Sequence, residues 1–210
     1  PLRRKRRTID MIVLLVHGLG RTPLSMFGLA AALRRAGHRT RFFGYSPTFE
    51  SVPRVVTRLT RLLRRLAPGP VGLVGHSLGG LLLRRALADV PELRVRRLVL
   101  LGLPNPPARA AQIASRFFPF RWLTRGCGRF LCSSEAVPRP TVPYTLIAGT
   151  AGPTGRWSPF GSETNDGLVG VAETRIVPGD KPVLVPALHT FLMDHPAVRE
   201  AVVAAMMTPT

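Results

Sequence analysis

The run Val71-Gly72-Leu73-Val74-Gly75-His76-Ser77-Leu78-Gly79-Gly80 puts a serine at the centre of Gly-x-Ser-x-Gly, between an apolar strand and a leucine-rich helix. In that context the pattern has a mechanism, because a serine on a sharp strand-to-helix turn holds its hydroxyl clear of the backbone. Such a turn is strained, and side chains two residues before and after would clash, which is the reason for Gly75 and Gly79. The helix that follows points its positive end at the reacting centre. A serine hydroxyl is a weak nucleophile until a base takes its proton, so a histidine must accompany it.

Five histidines are present: His17, His38, His76, His189 and His195. His76 adjoins the serine, and its side chain is expected to point away from the Ser77 hydroxyl. His17 belongs to the first loop, and His38 lies between a helix and a strand on the far side. His195 sits between Asp194 and Pro196, where a helix cap is expected. His189 follows the last strand, at the carboxyl end of the sheet where ligands of open α/β sheets bind, and is the expected base. An orienting acid belongs between serine and histidine in chain order. Asp166, in Asn165-Asp166-Gly167, fits the order Ser77, Asp166, His189, with Asp180 the runner-up and Glu163 and Glu173 as spares. The same tripeptide also reads as a β-turn. Finally, His17-Gly18-Leu19-Gly20 is a small-residue loop after the first strand. Its Leu19 N–H, with that of Leu78 after the serine, would form an oxyanion hole.

These residues need a scaffold, and short apolar runs alternating with helical stretches predict βαβ units and a parallel sheet. Strands are expected at Met11–Val16, Arg39–Phe43, Val71–Val74, Arg97–Leu101, Tyr144–Ala148 and Val183–Val185. Helices are expected from Thr22-Pro23 towards Gly37, from Ser51 to Leu66, after Ser77 through Leu87, and from Pro196 to Met207. The reading is one doubly wound α/β domain over residues 11–210, with an irregular, aromatic-rich cap insertion at about 104–140 and a basic arm at 1–10.

The chain has 210 residues, 45% hydrophobic and 20% charged, enough for a sizeable core and unlike disordered or collagen-like sequences. Two cysteines exclude a disulfide-dense scaffold. The apolar run Met11 to Val16, like every other in the chain, is far short of the ~18 residues that span a bilayer, so a soluble chain is expected. It would be secreted if an upstream signal was removed and cytoplasmic otherwise. The formal charge is +19, and all basic residues but Lys5 and Lys181 are arginines. Such a field attracts anionic surfaces, but speaks of association and not of chemistry.

Residues 117–131 hold four of the ten phenylalanines and one of the two tryptophans. Phe117, Phe118, Phe120 and Trp122 are therefore candidates to line an acyl channel or an interfacial lid, with core packing of the insertion as the alternative. Arg54, Arg58, Arg61 and Arg65 form one stripe of the second helix, read as a solvated face with an anionic membrane surface as the other option. Cys127 and Cys132 could close a small disulfide if they lay in a loop of an exported protein, and they do not make a zinc site. No metal site, no cofactor and no specific nucleic-acid partner are expected, and there is no phosphate loop with a lysine.

Together, Val16-His17-Gly18-Leu19-Gly20, Gly75-His76-Ser77-Leu78-Gly79-Gly80, Asn165-Asp166-Gly167 and Leu188-His189-Thr190 resemble the small bacterial lipases and esterases of the α/β-hydrolase superfamily, over roughly residues 11–207. The resemblance implies a Ser77–His189–Asp166 triad, oxyanion donors at Leu19 and Leu78, and a two-step acyl-enzyme mechanism on a small-molecule or lipid ester. Ten residues before the first strand cannot build the antiparallel hairpin with which larger members begin, so a minimal version of the fold is expected, with a mostly parallel sheet and helices on both faces. Gly102-Leu103-Pro104-Asn105 stands where members often carry Gly-Thr-Pro-His, which bears on the acyl-pocket wall. An acyltransferase or thioesterase would use the same triad, and a non-catalytic basic module binding nucleic acid or anionic lipid is the reading from another class.

Overall fold

The computed structural model describes residues 11–133 and 135–208. The basic arm expected at 1–10 lies outside the described residues.

Six strands form one sheet in the order β2-β1-β3-β4-β5-β6, with every neighbouring pair parallel. They are β1 (Ile12–Val16), β2 (Arg39–Phe43), β3 (Val71–His76), β4 (Val95–Leu101), β5 (Tyr144–Gly149) and β6 (Val183–Val185). A parallel sheet covered on both faces demands apolar residues at successive positions, and β3 is buried at all six. On each strand the residues alternate between two cores. Leu14, Val16, Leu73, Leu98 and Leu100 face one, whereas Val13, Leu15, Val74, Val99 and Leu101 face the other.

The first core is closed by α2 (Val52–Leu66) and α3 (Leu78–Ala88), the second by α1 (Phe27–Arg35) and α6 (Pro196–Met207). At the outer edge, β2 exposes Arg39 and Arg41, charges that discourage pairing with another sheet. The helix expected from Pro23 opens as a 3-10 turn, Pro23–Met26, before α1 begins. Ser51 caps α2 by accepting the Arg54 N–H, and His195 caps α6 by accepting the Ala197 N–H.

The insertion is more regular than its sequence suggests. It carries α4 (Arg109–Ala114) and α5 (Phe118–Cys132), the second broken at Arg125. Periodicity hid α5 because Phe118, Trp122 and Leu123 are at least half exposed, so its apolar residues do not mark a single buried stripe. Buried Arg84 on α3 fastens both ends of the insertion. It donates to Asn105 Oδ1 at 2.7 Å on one side, and to the Val137 and Pro138 carbonyls at 2.8 and 3.0 Å on the other. No described helix is long and apolar enough to cross a membrane.

The chain passes from β1 outward to β2, then returns across β1 to β3. That reversal opens a crevice at the carboxyl ends of β1 and β3, where the Gly18 loop and Ser77 emerge.

Candidate active site

Ser77 joins β3 to α3 with φ 50° and ψ −123°, a backbone state that costs a non-glycine residue ~1–3 kcal/mol. Its surroundings leave no alternative. The Ser77 N–H donates to the Leu101 carbonyl at 2.8 Å, and the Ser77 carbonyl accepts from Gly80 N–H at 2.9 Å. A Cβ on Gly75 would come within 2.6 Å of Gly80 Cα, and one on Gly79 within 2.5 Å of the Val16 and His17 carbonyl oxygens. The glycines of Gly-x-Ser-x-Gly are thus required by backbone crossing backbone, which no rotamer change can relieve.

His189 and Asp166 are linked twice. The His189 N–H donates to the Asp166 carbonyl at 2.8 Å, and His189 Nδ1 lies 2.7 Å from Asp166 Oδ2. A carboxylate only accepts, so Nδ1 carries a proton towards it, and in the neutral ring Nε2 is then the acceptor. Asp166 Oδ1 accepts the N–H groups of Leu168 at 3.0 Å and Val169 at 2.7 Å, which fixes the carboxylate plane. The turn and the carboxylate that holds His189 are the same structure, with Gly167 supplying φ +97°. Asp180, the runner-up, is elsewhere. It accepts the Tyr144 hydroxyl and the Ile176 and Val177 N–H groups, and these bonds hold its carboxyl below the usual range against a partial burial that raises it.

Two glycines outside the motifs prove to be packing requirements of the pair. A Cβ on Gly102 would reach His189 Nδ1 at 2.9 Å, and one on Gly149 would reach Asp166 Cβ at 2.7 Å. Gly102 directly follows β4 and Gly149 ends β5.

The loop after β1 is braced by His17. Its Nδ1–H donates to the Gly18 carbonyl at 2.9 Å, and its Nε2 accepts from Tyr45 N–H at 3.4 Å. The rings of His17 and Tyr45 stack at 4.4 Å, and the Tyr45 hydroxyl donates to the His17 carbonyl. Burial lowers the His17 pKa, opposed by the bond to Gly18, and keeps the ring neutral. The turn that follows uses Arg21 N–H, donated to the Gly18 carbonyl, so the N–H of Leu19 lies outside it. Leu78 is the first residue of α3, so its N–H has no intrahelical partner. Arg21 in turn donates to the Thr190 carbonyl, tying this loop to the His189 turn.

His76 lies on the wall of the site. Its ring packs against that of His189, with centroids 4.8 Å apart, and its Nε2–H donates to the His189 carbonyl at 3.1 Å. Burial first, and the neighbouring His189 second, press the His76 pKa well below 6.5, so it remains a neutral donor. Sequence reasoning missed this role because the contact spans 113 positions.

Ser77, His76 and His189 line a cavity of about 160 Å³, together with Leu19, Leu168 and the alanines of α4. Of the four cap rings expected at the pocket, Phe120 lines this cavity. Phe118 and Trp122 instead line a separate one of about 680 Å³ on the cap, to which Phe120 also contributes, and Phe117 is 65% exposed. The reason is the helical geometry of α5, which turns neighbouring rings to different sides. The roof is fastened to the segment that carries Asp166 through Arg109, paired with Glu163 and Glu173 and lying over the Phe160 ring.

Cys127 and Cys132 are free thiols on one helix, and burial with the charge of Glu50 pushes Cys127 up to about 11. The loop that a short disulfide would need is absent there. Among the described residues, no three His, Cys, Asp or Glu side chains are grouped as metal ligands.

A family model described as the alpha/beta hydrolase fold matches residues 12–126. Among solved structures, the mature lipase BlEst2 of Bacillus licheniformis superposes with a TM-score of 0.70 at 20% identity, covering 99% of this chain and 96% of its own. A bromoperoxidase from Bacillus anthracis gives 0.63 at 16%, covering 95% and 92%. The thioesterase domain of the curacin biosynthetic pathway gives 0.62 at 18%, with the same shares of the two chains. At such identities these likenesses concern the fold alone. A search of the curated proteins found no match in sequence.

Proposed function

The chain belongs to the α/β-hydrolase fold family, and from that premise we propose that it is a serine-dependent carboxylic ester hydrolase. The observation that carries the proposal is the 2.7 Å contact of His189 Nδ1 with Asp166 Oδ2 on the cavity that holds Ser77. In this reading His189 Nε2 takes the Ser77 proton as the hydroxyl oxygen attacks the ester carbonyl carbon. The oxyanion that forms is held by the Leu19 and Leu78 N–H groups, each worth on the order of 3 kcal/mol in the transition state. Collapse expels the alcohol with the proton from His189, leaving an acyl group on Ser77. Water, deprotonated by the same nitrogen, then releases the acid.

The acyl group faces the small side chains Ala108, Ala110, Ala111 and Ala114. A cavity of about 160 Å³ resembles in size one that holds benzene, roughly six carbons, which favours short acyl groups. A chromogenic ester series from short to long chains tests this with wild type and Ser77→Ala. Turnover by the wild type, falling at least ~10⁵-fold in the variant, is the expected result. A rate retained in Ser77→Ala would overturn the reading. The same atoms would act on a thioester, as the likeness to a thioesterase domain invites, and a thioester arm of the series separates the two.

A further inference from the structure

The outer face of the cap is built unlike the rest of the surface. No acidic residue occurs between Glu92 and Glu135, a stretch that includes all of α4 and α5. Arg116, Arg121, Arg125 and Arg129 are exposed there, and among the described residues none of them is ion-paired with a carboxylate. Interleaved with them are Phe117, Phe118, Trp122 and Leu123, exposed by 65, 71, 56 and 50%. A groove of about 680 Å³ is lined by Arg121, Arg125 and Arg129 together with Phe118 and Trp122, with Phe120 as the wall it shares with the Ser77 cavity.

Helix α2 supplies the contrast. It carries five exposed arginines, yet its valines and leucines are buried or half-buried, so a basic stripe stands there with no apolar anchor. On the cap, Arg121, Arg125 and Arg129 line the same groove as Phe118 and Trp122. Guanidinium groups pair with phosphate oxygens in two-pronged fashion, and Phe, Trp and Leu favour the boundary between headgroups and acyl chains. An apolar patch of this kind, rimmed by cations and left open to water, marks a surface meant to be covered.

We propose that the outer face of the cap docks onto an anionic phospholipid bilayer, with the four arginines on lipid phosphates and Phe117, Phe118, Trp122 and Leu123 at the headgroup boundary. Docked in this way, the mouth of the Ser77 cavity lies beside the layer into which apolar esters partition. That consequence rests on the hydrolase reading, whereas the docking itself does not.

A net charge of +19 makes adsorption to anionic vesicles alone uninformative, so the test reads which face is buried. The chain has two tryptophans, Trp122 on the cap and Trp157 elsewhere, 86% exposed. In a Ser77→Ala background, which separates docking from turnover, Trp157→Phe leaves Trp122 as the sole reporter and Trp122→Phe leaves Trp157. With phosphatidylglycerol vesicles, Trp122 emission is expected to shift to the blue and to be quenched by brominated acyl chains, while Trp157 emission is not. Phosphatidylcholine vesicles should give neither change. Replacing Arg116, Arg121, Arg125 and Arg129 by glutamine should weaken partitioning by about five-fold per arginine removed. The same replacement at Arg54, Arg61, Arg64 and Arg65 of α2 should abolish neither the shift nor the quenching. Vesicle-bound protein whose Trp122 is neither shifted nor quenched would overturn the proposal. So would equal loss from the α2 variant, or Trp122 quenched by a single-stranded oligonucleotide and not by vesicles.

Discussion

Ser77 and Arg125 have nearly the same backbone, φ 50° and ψ −123° against φ 40° and ψ −117°, and they lie in opposite surroundings. Around Ser77 the chain is held by two backbone hydrogen bonds and by glycines without room for a single carbon. Around Arg125 the side chain is exposed, and a Cβ on the neighbouring Gly126 would meet nothing within 4 Å. Backbone strain of ~1–3 kcal/mol therefore does not by itself mark a reacting centre. What distinguishes the elbow is that the strain is over-determined, and that a histidine held by a carboxylate shares its cavity. The kink at Arg125 serves shape, since it re-aims the second half of α5.

Removing the chemistry while leaving the strain has the largest expected effect. Asp166→Asn keeps an acceptor for the Leu168 and Val169 N–H groups but can present an N–H to His189, favouring the wrong tautomer. It should lower kcat by ~10³–10⁴ while the melting temperature falls only slightly. An unchanged kcat would assign the acid's role to another residue.

Next in size is the effect of a single carbon. Gly79→Ala drives a Cβ against the Val16 and His17 carbonyls, and should cost about 1–3 kcal/mol or more in urea denaturation and disable turnover. Gly126→Ala meets open space and should be neutral or slightly stabilising, as expected for alanine in a helix. Equal tolerance at both positions would erase the distinction between the two turns.

The smallest effect is the pH dependence of stability around the elbow. His17 and His76 are buried with folded pKa values below the ordinary 6.5, so below that pH the unfolded chain binds more protons than the folded one. Stability should therefore fall as pH drops from 7.5 through 6.5, by at most about 1.4 kcal/mol per pH unit for each histidine. Denaturation midpoints at pH 7.5 and 5.5 measure it, and His76→Gln should flatten the slope. A midpoint that rises on acidification would contradict the burial argument.

Much of this architecture is legible in sequence, for a physical reason. Strand cores such as Val71–Val74, and the order of Ser77, Asp166 and His189, are local or one-dimensional signals, and Arg39–Phe43, Val183–Val185 and Pro196–Met207 fall where periodicity and capping put them. Contacts between distant segments leave no such trace. The bond from His76 to the His189 carbonyl, the seats provided by Gly102 and Gly149, and the clasp of Arg109 on Glu163 and Glu173 all arise from packing. For the same reason the sequence could group Phe117, Phe118, Phe120 and Trp122 but not sort them. Only the turn of α5 sends Phe120 inward to the Ser77 cavity and leaves the others on the cap.

The most direct test is to react the protein with a fluorophosphonate and locate the adduct by peptide mass spectrometry. A single adduct on Ser77 is expected, formed quickly in the wild type and lost or greatly slowed in His189→Ala. No adduct in the folded wild type, or one placed on another serine, would contradict it.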